Sequence, residues 1–138
     1  MFEDEITIFN KKYDETTRDY KYVRTYLIGV NLDLSKAANV IKSGLENANI
    51  GTLIIPEDVD SDNKIFTKPK EYKKAEDINT LWTLQPGDII VAGIIDYKIN
   101  ENNTITNLKN VYDDVYEIVS VDTKLKGGLP HWEVGLKW

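Results

Sequence analysis

The amino-acid sequence predicts an all-β (mainly β) protein: a small β-barrel with long loops and one short helix, formed as a single domain by residues 1–138. Three observations favour this fold class. Short runs alternate apolar and polar residues with a period of two, turn-rich stretches separate these runs, and sustained helical periodicity is scarce. Apolar residues make up 41% of the chain, which is enough to form one buried core.

The first predicted strand covers residues 5–9, in which Ile6 and Ile8 share one face and Thr7 and Phe9 share the other. Residues 10–20 follow and are crowded with Lys, Asp, Glu and Thr. Such a composition predicts a polar turn after the first strand.

Residues 22–31 are predicted to form a longer strand. Alternation places Ile28 and Val30 on one face and Leu27 on the other. Because both faces carry bulky side chains, we expect this strand to lie between two neighbours. Residues 32–47 are predicted to be mainly a long loop, since glycine and several asparagines disfavour a helix there.

Residues 48–55 resume strand character, and Pro56 ends the strand because proline lacks a backbone donor for the ladder. Residues 57–80 form a long charged connection that is acidic at its start and basic further on. This change of sign within one connection indicates a solvated surface. Pro69 is predicted to start one helical turn.

The last elements begin with the apolar run 89–95, which is typical of a strand buried on both faces. Residues 104–112 are predicted to form the short helix, with Thr104 as its N-cap. The apolar stripe of this helix consists of Ile105, Leu108, Val111 and Tyr112. A strand over residues 115–121 and a last strand beginning at His131 form a hairpin that closes the predicted sheet.

The residue inventory excludes several kinds of site. The chain has no cysteine, which rules out disulfides, thiolate metal sites and cysteine nucleophiles, and its single histidine rules out a multi-histidine site. The net charge of -6 argues against binding nucleic acid through phosphate neutralisation. The acidic N-terminus does not match a signal peptide, and no apolar run has membrane-spanning length, so we expect no contact with a membrane.

The sequence predicts no catalytic, cofactor or metal site. Asp58, Asp60 and Asp62 have the spacing that opens a calcium-binding loop, but Asn63 and Pro69 stand where that loop needs glycine and glutamate. Asp113 and Asp114 are adjacent in sequence, so strand geometry does not bring their carboxylates together. The protein is therefore predicted not to be an enzyme.

The aromatic residues leave two interpretations open. Trp82, Trp132 and Trp138, together with eight tyrosines, are compatible with a stacking platform for sugars or bases. They are equally compatible with a core and an oligomer interface, and base rates favour that second interpretation. A ligand-binding β-barrel is therefore the more distant functional alternative.

The order of segments resembles a family of minor capsid or neck proteins encoded in the head–tail module of Gram-positive phages and prophages, and is also similar to head–tail connector stopper proteins. The segments that carry the resemblance cover nearly the whole chain. They are EITIFNKKYD (5–14), IGV (28–30), NVIKSGL (39–45), TLIIP (52–56), KPKEYK (68–73), WTLQPGDIIVAG (82–93), YDDVYEIVSV (112–121) and HWEV (131–134).

The resemblance implies a homo-oligomeric ring, sixfold or twelvefold, at the head–tail junction. Its implied partners are the portal or adaptor protein on one side and the tail terminator on the other, with packaged DNA passing through without sequence-specific binding. It also implies assembly in the host cytoplasm and a final location in the virion neck. A tail terminator or another neck ring protein is the nearer alternative.

A ring subunit of this kind is expected to contribute one loop to the central channel. One of the segments 32–47 and 57–80 is predicted to supply that loop, and the other to contact a neighbouring ring or the tail. The candidate residues are Ser35, Lys36, Asn39, Lys42 and Gly44 in the first segment and Asp58, Asp60, Asp62, Lys68, Lys70 and Tyr72 in the second. The acidic balance of the chain fits a channel that DNA crosses without adhering.

Overall fold

A computed structural model describes residues 2–34 and 49–138. Within these ranges the protein is mainly β, as the sequence predicts, but it has two short helices where the sequence predicts one short helix and one helical turn. The strands are β1 (Asp4–Asp14), β2 (Asp19–Asp33), β3 (Ile50–Pro56), β4 (Ile65–Phe66), β5 (Leu81–Trp82), β6 (Ile89–Ala92), β7 (Val115–Lys124) and β8 (His131–Lys137). The helices are α1 (Pro69–Lys74) and α2 (Ile105–Val111). No helix in these ranges is long and apolar enough to span a bilayer.

Six of the strands form one antiparallel sheet in the order β1-β2-β3-β8-β7-β6. The sheet order returns to its start, because β6 also pairs with β1. The expectation that β2 lies between two neighbours is confirmed, since it pairs with β1 and β3. The predicted C-terminal hairpin is the pair of β7 and β8.

The hairpin of β1 and β2 is longer than predicted. The polar turn predicted for residues 10–20 is confined to residues 15–18, so its predicted bounds are wrong, because pairing continues as far as Asp14 and Asp19. A cross-strand contact between the rings of Tyr13 and Tyr20, with centroids 5.3 Å apart, supports the outer part of this ribbon. The loop predicted from residue 32 also begins later, because β2 ends at Asp33.

The alternation predicted for β2 is wrong at Val30. Gly29 has φ 94°, and the pairing register shifts so that Glu5 faces Ile28 while Asp4 faces Val30. This bulge inserts one extra residue and reverses the facing of the residues after it. Val30 therefore joins Leu27 in the core with no exposed surface, whereas 43% of the Ile28 side chain is exposed.

The main core lies on one face of the six-stranded sheet. Ile6 and Ile8 of β1 enter this core, as predicted. Residues before β6 also enter it, including Trp82 and Leu84. The other buried members of this core are Leu27, Val30, Leu53, Ile55, Ile90, Tyr116, Ile118, Trp132, Val134 and Leu136.

A second apolar cluster covers the opposite face of β1, β6 and β7. Phe9 and Leu108 of α2 are its fully buried members, and the predicted cap is confirmed because Thr104 Oγ1 accepts a hydrogen bond from the backbone N–H of Asn107. Val111 does not belong to the predicted stripe, since 66% of it is exposed. The predicted strand 89–95 is also shorter, because Gly93 with φ 91° follows the end of β6.

Candidate functional site

The connection 57–80 leaves the sheet after β3 and carries most of the charged candidates. Its exposed members are Asp58, Asp60, Asp62, Lys68 and Lys70. Tyr72 is different, because its side chain has no exposed surface and its hydroxyl has no partner among the described residues. Burial raises the pKa of Tyr72, and its ring holds α1 against the protein instead of facing another subunit.

The remaining candidates belong to the other connection. Ser35, Lys36, Asn39, Lys42 and Gly44 lie outside the described residues.

Backbone pairing fastens the connection 57–80 to the sheet. The backbone N–H of Ile28 donates to the carbonyl of Asp60 at 2.9 Å, and the N–H of Asp60 donates back at 3.3 Å. Further along, β4 pairs in parallel with β5, and α1 begins at Pro69 as predicted. The sequence did not predict β4 and β5, since two-residue strands leave almost no periodic signal.

An aromatic cluster continues this attachment. The ring of Phe66 packs 4.4 Å from Trp132 and 5.1 Å from Trp82, measured between centroids. Trp82 and Trp132 are nearly fully buried, whereas 40% of Trp138 is exposed and its ring contacts Tyr116. Two of the three tryptophans are therefore core residues, as the first part of the favoured interpretation predicts; the oligomer interface stays a prediction.

Lys64 connects the same segment to β2. Its ammonium donates to the carbonyl of Arg24 at 2.7 Å and to Thr25 Oγ1 at 2.9 Å, and burial lowers its pKa. These bonds join the connection to a strand about forty residues away in sequence. The connection 57–80 is thus a fixed part of the fold.

We expect Lys64→Met to lower the free energy of unfolding by about 2 kcal/mol, because two hydrogen bonds from a charged group are lost while both acceptors remain. Faster cleavage within 57–68 in limited proteolysis should accompany the loss. Lys70→Met, an exposed position on α1, is the matched control and should stay within about 0.5 kcal/mol of the parent. Equal stability and cleavage rates for both variants would contradict this role.

A cleft of about 370 Å³ lies between the β1–β2 ribbon, the end of α1 and the turn before β6. This lysine–tyrosine cleft is lined by Lys11, Lys12, Tyr13, Tyr20, Lys73, Gln85 and Pro86. The Lys11 ammonium lies 4.1 Å from the centroid of the Tyr20 ring, a cation–π contact. The Lys12 ammonium donates hydrogen bonds to the backbone carbonyls of Tyr72 and Lys73, which lie in the last turn of α1.

An acidic patch surrounds the exposed Ile28. Glu5 and Asp60 lie directly opposite Ile28 on its two sides, in β1 and in the connection. Asp58 and Asp62 flank Asp60 in the sequence, and the backbone N–H of Asp62 donates a hydrogen bond to the carboxylate of Asp60. Among the described residues, the ion pairs are Lys124–Glu133, His131–Glu133 and Lys137–Glu117, so none of these neutralises the acidic patch.

A buried polar network lies beneath the lysine–tyrosine cleft. The Asp88 carboxylate accepts hydrogen bonds from Asn10 Nδ2 at 2.8 Å, from the Lys11 backbone N–H at 2.9 Å, and from the backbone and side chain of Gln85, each at 3.2 Å. Asn10 and Asp88 have no exposed surface. The network joins β1 to the turn before β6, and the polar Gln-Pro-Gly-Asp sequence at 85–88 was its only signal in the sequence.

Burial raises the pKa of Asp88 from its ordinary value of 3.8 to about 7, and the four hydrogen bonds to the carboxylate oppose this rise. The folded state therefore retains a proton that the unfolded state releases, and the stability that Asp88 contributes below about pH 4 is lost as the pH rises to about 7.

We expect Asp88→Asn, which does not titrate, to flatten the dependence of unfolding free energy on pH between about 4 and 7. Chemical denaturation across that range measures the slope. Asp122→Asn, at an exposed position of β7, should keep the slope of the parent protein. A slope unchanged by Asp88→Asn would show that Asp88 does not titrate in this range.

The described residues contain no group of three or more His, Asp or Glu side chains that could hold a metal ion. His131 is held by short-range contacts, since Nδ1 lies 2.7 Å from the Leu129 carbonyl oxygen and Nε2 lies 3.2 Å from Glu133 Oε1. These contacts hold the histidine ring at the start of β8.

The strand pairings and the two short helices define a mainly β protein with a six-stranded antiparallel sheet. The chain belongs to a family of unknown function (DUF6751), whose model matches residues 1–137. Neither the comparison with curated proteins nor the comparison with solved structures gives a match.

Proposed function

We propose that this protein is a structural component of a tailed phage or prophage particle, a stopper-like ring subunit of the head–tail connector, and not an enzyme. The ring joins the portal or adaptor to the tail terminator and helps to retain DNA. Support comes from the ordered segments that resemble neck proteins along nearly the whole chain. The subunit is made in the host cytoplasm and ends in the virion neck.

The observation that carries this proposal is the order of pairings that returns from β6 to β1. We infer from it a small β-barrel, the subunit architecture that the resemblance implies. A closed sheet has no free edge for open-ended strand addition. Contacts between subunits then depend on side chains and connections, which suits a ring of preformed subunits.

The fixed connection 57–80 is assigned to a contact with a neighbouring subunit or ring. Its attachment through Asp60, Lys64 and Phe66 leaves it little freedom to open and close as a gate. Its exposed aspartates instead present fixed charge to the surroundings. The net charge of -6 fits a ring through which DNA moves without adhering.

The ligand-binding alternative has less support. A stacking platform needs accessible aromatic rings, and two of the three tryptophans, Trp82 and Trp132, are buried, which leaves only Trp138 and the tyrosines for such a role. The nearer alternative, a tail terminator or other neck ring protein, uses a similar subunit and differs in the stage at which it joins the particle.

Deletion of the gene in the phage or prophage tests the proposal and separates these stages. We expect heads that package DNA and then lose it, together with free, complete tails. DNA-filled stable heads beside tails of abnormal length would indicate a tail terminator instead. Normal infectious particles without the protein would contradict a connector role.

A further inference from the structure

The lysine–tyrosine cleft and the acidic patch lie at opposite ends of one face of β1. Glu5, Lys11 and Tyr13 are alternate-position residues of the strand, so their side chains point to the same side of the sheet. Tyr13 follows Glu5 by eight residues, which is about 26 Å of strand. Phe9 lies between Glu5 and Tyr13 on this face, and it packs in the cluster that includes Leu108 of α2. The two surfaces are therefore separate and point outward on either side of α2.

The charges of the two surfaces are opposite. The cleft is lined by three lysines and no carboxylate. The acidic patch has Glu5 and Asp60 opposite Ile28, with Asp58 and Asp62 on either side of Asp60 in the sequence. Lys64 attracts Asp62, but no lysine or arginine of the described residues forms an ion pair with these carboxylates. Asp14 and Asp19, together with Glu101, line an adjoining cleft beside α2 that shares Lys11 and Tyr20 with the lysine–tyrosine cleft.

Each surface also has an exposed apolar centre. Tyr13 and Tyr20 are 48% and 52% exposed in the cleft, and Ile28 is 43% exposed in the acidic patch. Apolar and aromatic side chains surrounded by charge are typical of a protein–protein interface. The volume of about 370 Å³ is sufficient for side chains of a partner to enter the cleft.

We propose that the lysine–tyrosine cleft of one subunit binds the acidic patch of a second copy of this chain. The inference rests on the proposed function, and it names the contact that builds the ring. Because the two surfaces differ and lie apart on one subunit, the contact is heterologous, and its repetition generates a closed ring or a filament. Ile28 lies against Tyr13 and Tyr20, while Asp58, Asp60 and Glu5 approach Lys11 and Lys73.

Charge reversal tests the contact. The first variant, Lys11→Glu with Lys73→Glu, reverses the cleft but leaves Lys12 in place to end α1. The second variant, Glu5→Lys with Asp58→Lys, reverses the acidic patch. A third variant combines all four changes. Lys98→Glu with Lys126→Glu is the matched control, because both lysines are exposed and belong to neither surface.

The readout is the number of copies of the chain per purified particle, measured by quantitative mass spectrometry in a host whose own gene is deleted. Like charges at the contact should lower incorporation of the first and second variants by about tenfold or more. The combined variant should return to within about twofold of the parent, and the control should remain at the parent level. Circular dichroism checks that each variant folds, and Lys73→Glu alone replaces the first variant if that one does not.

Three outcomes overturn the inference. If both single-surface variants are incorporated like the parent, or if the combined variant is not rescued, this contact is wrong while the proposed function stands. If the parent protein itself is absent from purified particles, the proposed function fails and the inference fails with it.

Discussion

Trp132→Ala is expected to lower the free energy of unfolding by about 3–5 kcal/mol, the usual cost of truncating a large buried aromatic residue. Only 3% of Trp132 is exposed, and its ring contacts both Phe66 and Trp82. The substitution removes the side chain that joins β8 to the connection 57–80. Chemical denaturation followed by circular dichroism measures the loss.

Trp138→Ala is the matched control for this prediction. Trp138 follows β8 and is 40% exposed, so the expected loss is limited to its contact with Tyr116, about 1 kcal/mol. A loss for Trp132→Ala no larger than that of the control would contradict the position of Trp132 in the core.

Phe9→Ala is expected to cost a similar amount, about 3–5 kcal/mol, but for a different part of the fold. Phe9 has no exposed surface and lies in the cluster with Ile89, Val91 and Leu108. Because this cluster holds α2 on the sheet, hydrogen exchange should also accelerate in residues 105–111.

Tyr13→Ala provides the control, since Tyr13 is on the same face of the same strand but is 48% exposed. It should cost about 1 kcal/mol and leave exchange in α2 unchanged. Unaltered protection of α2 in Phe9→Ala would show that the cluster does not hold the helix.

The elements that sequence predicted well are those in which local pattern and burial agree. Ile6 and Ile8 alternate with Thr7 and Phe9; the two isoleucines enter the main core, whereas Phe9 enters the second cluster on the opposite face. The cap of α2 was predictable because Thr104 acts within one helical turn. The strand was predictable because its apolar residues alternate with a period of two. The cap was predictable because the two residues that form it are close together in the sequence.

The errors have a common physical cause in contacts between distant residues. One glycine bulge at Gly29 reverses the face of Val30, which no count of alternating residues anticipates. The polar residues 10–14 form a strand because the Tyr13 ring packs against the Tyr20 ring and Asn10 donates a hydrogen bond to Asp88. The order of the sheet depends on which strands pair, and the local patterns of one sequence do not reveal those pairings.

The two candidate surfaces also depend on contacts between residues that are distant in the sequence. Asp58, Asp60 and Asp62 are visible in the sequence as an acidic run, but the addition of Glu5 and Ile28 requires the strand pairings. The lysine–tyrosine cleft combines β1, β2, α1 and the turn before β6, so its charge is dispersed along the chain. Tyr72 was a surface candidate because a charged segment surrounds it, yet packing buries its ring.

The proposed function places this protein in a ring at the head–tail junction. An electron cryomicroscopy map of purified particles tests it most directly, combined with a tag on the chain or with comparison to particles from the gene deletion. We expect a sixfold or twelvefold ring of β-rich subunits between the portal or adaptor and the tail, into which this fold fits. Density for this chain elsewhere in the particle, or its complete absence from the particle, would contradict the claim.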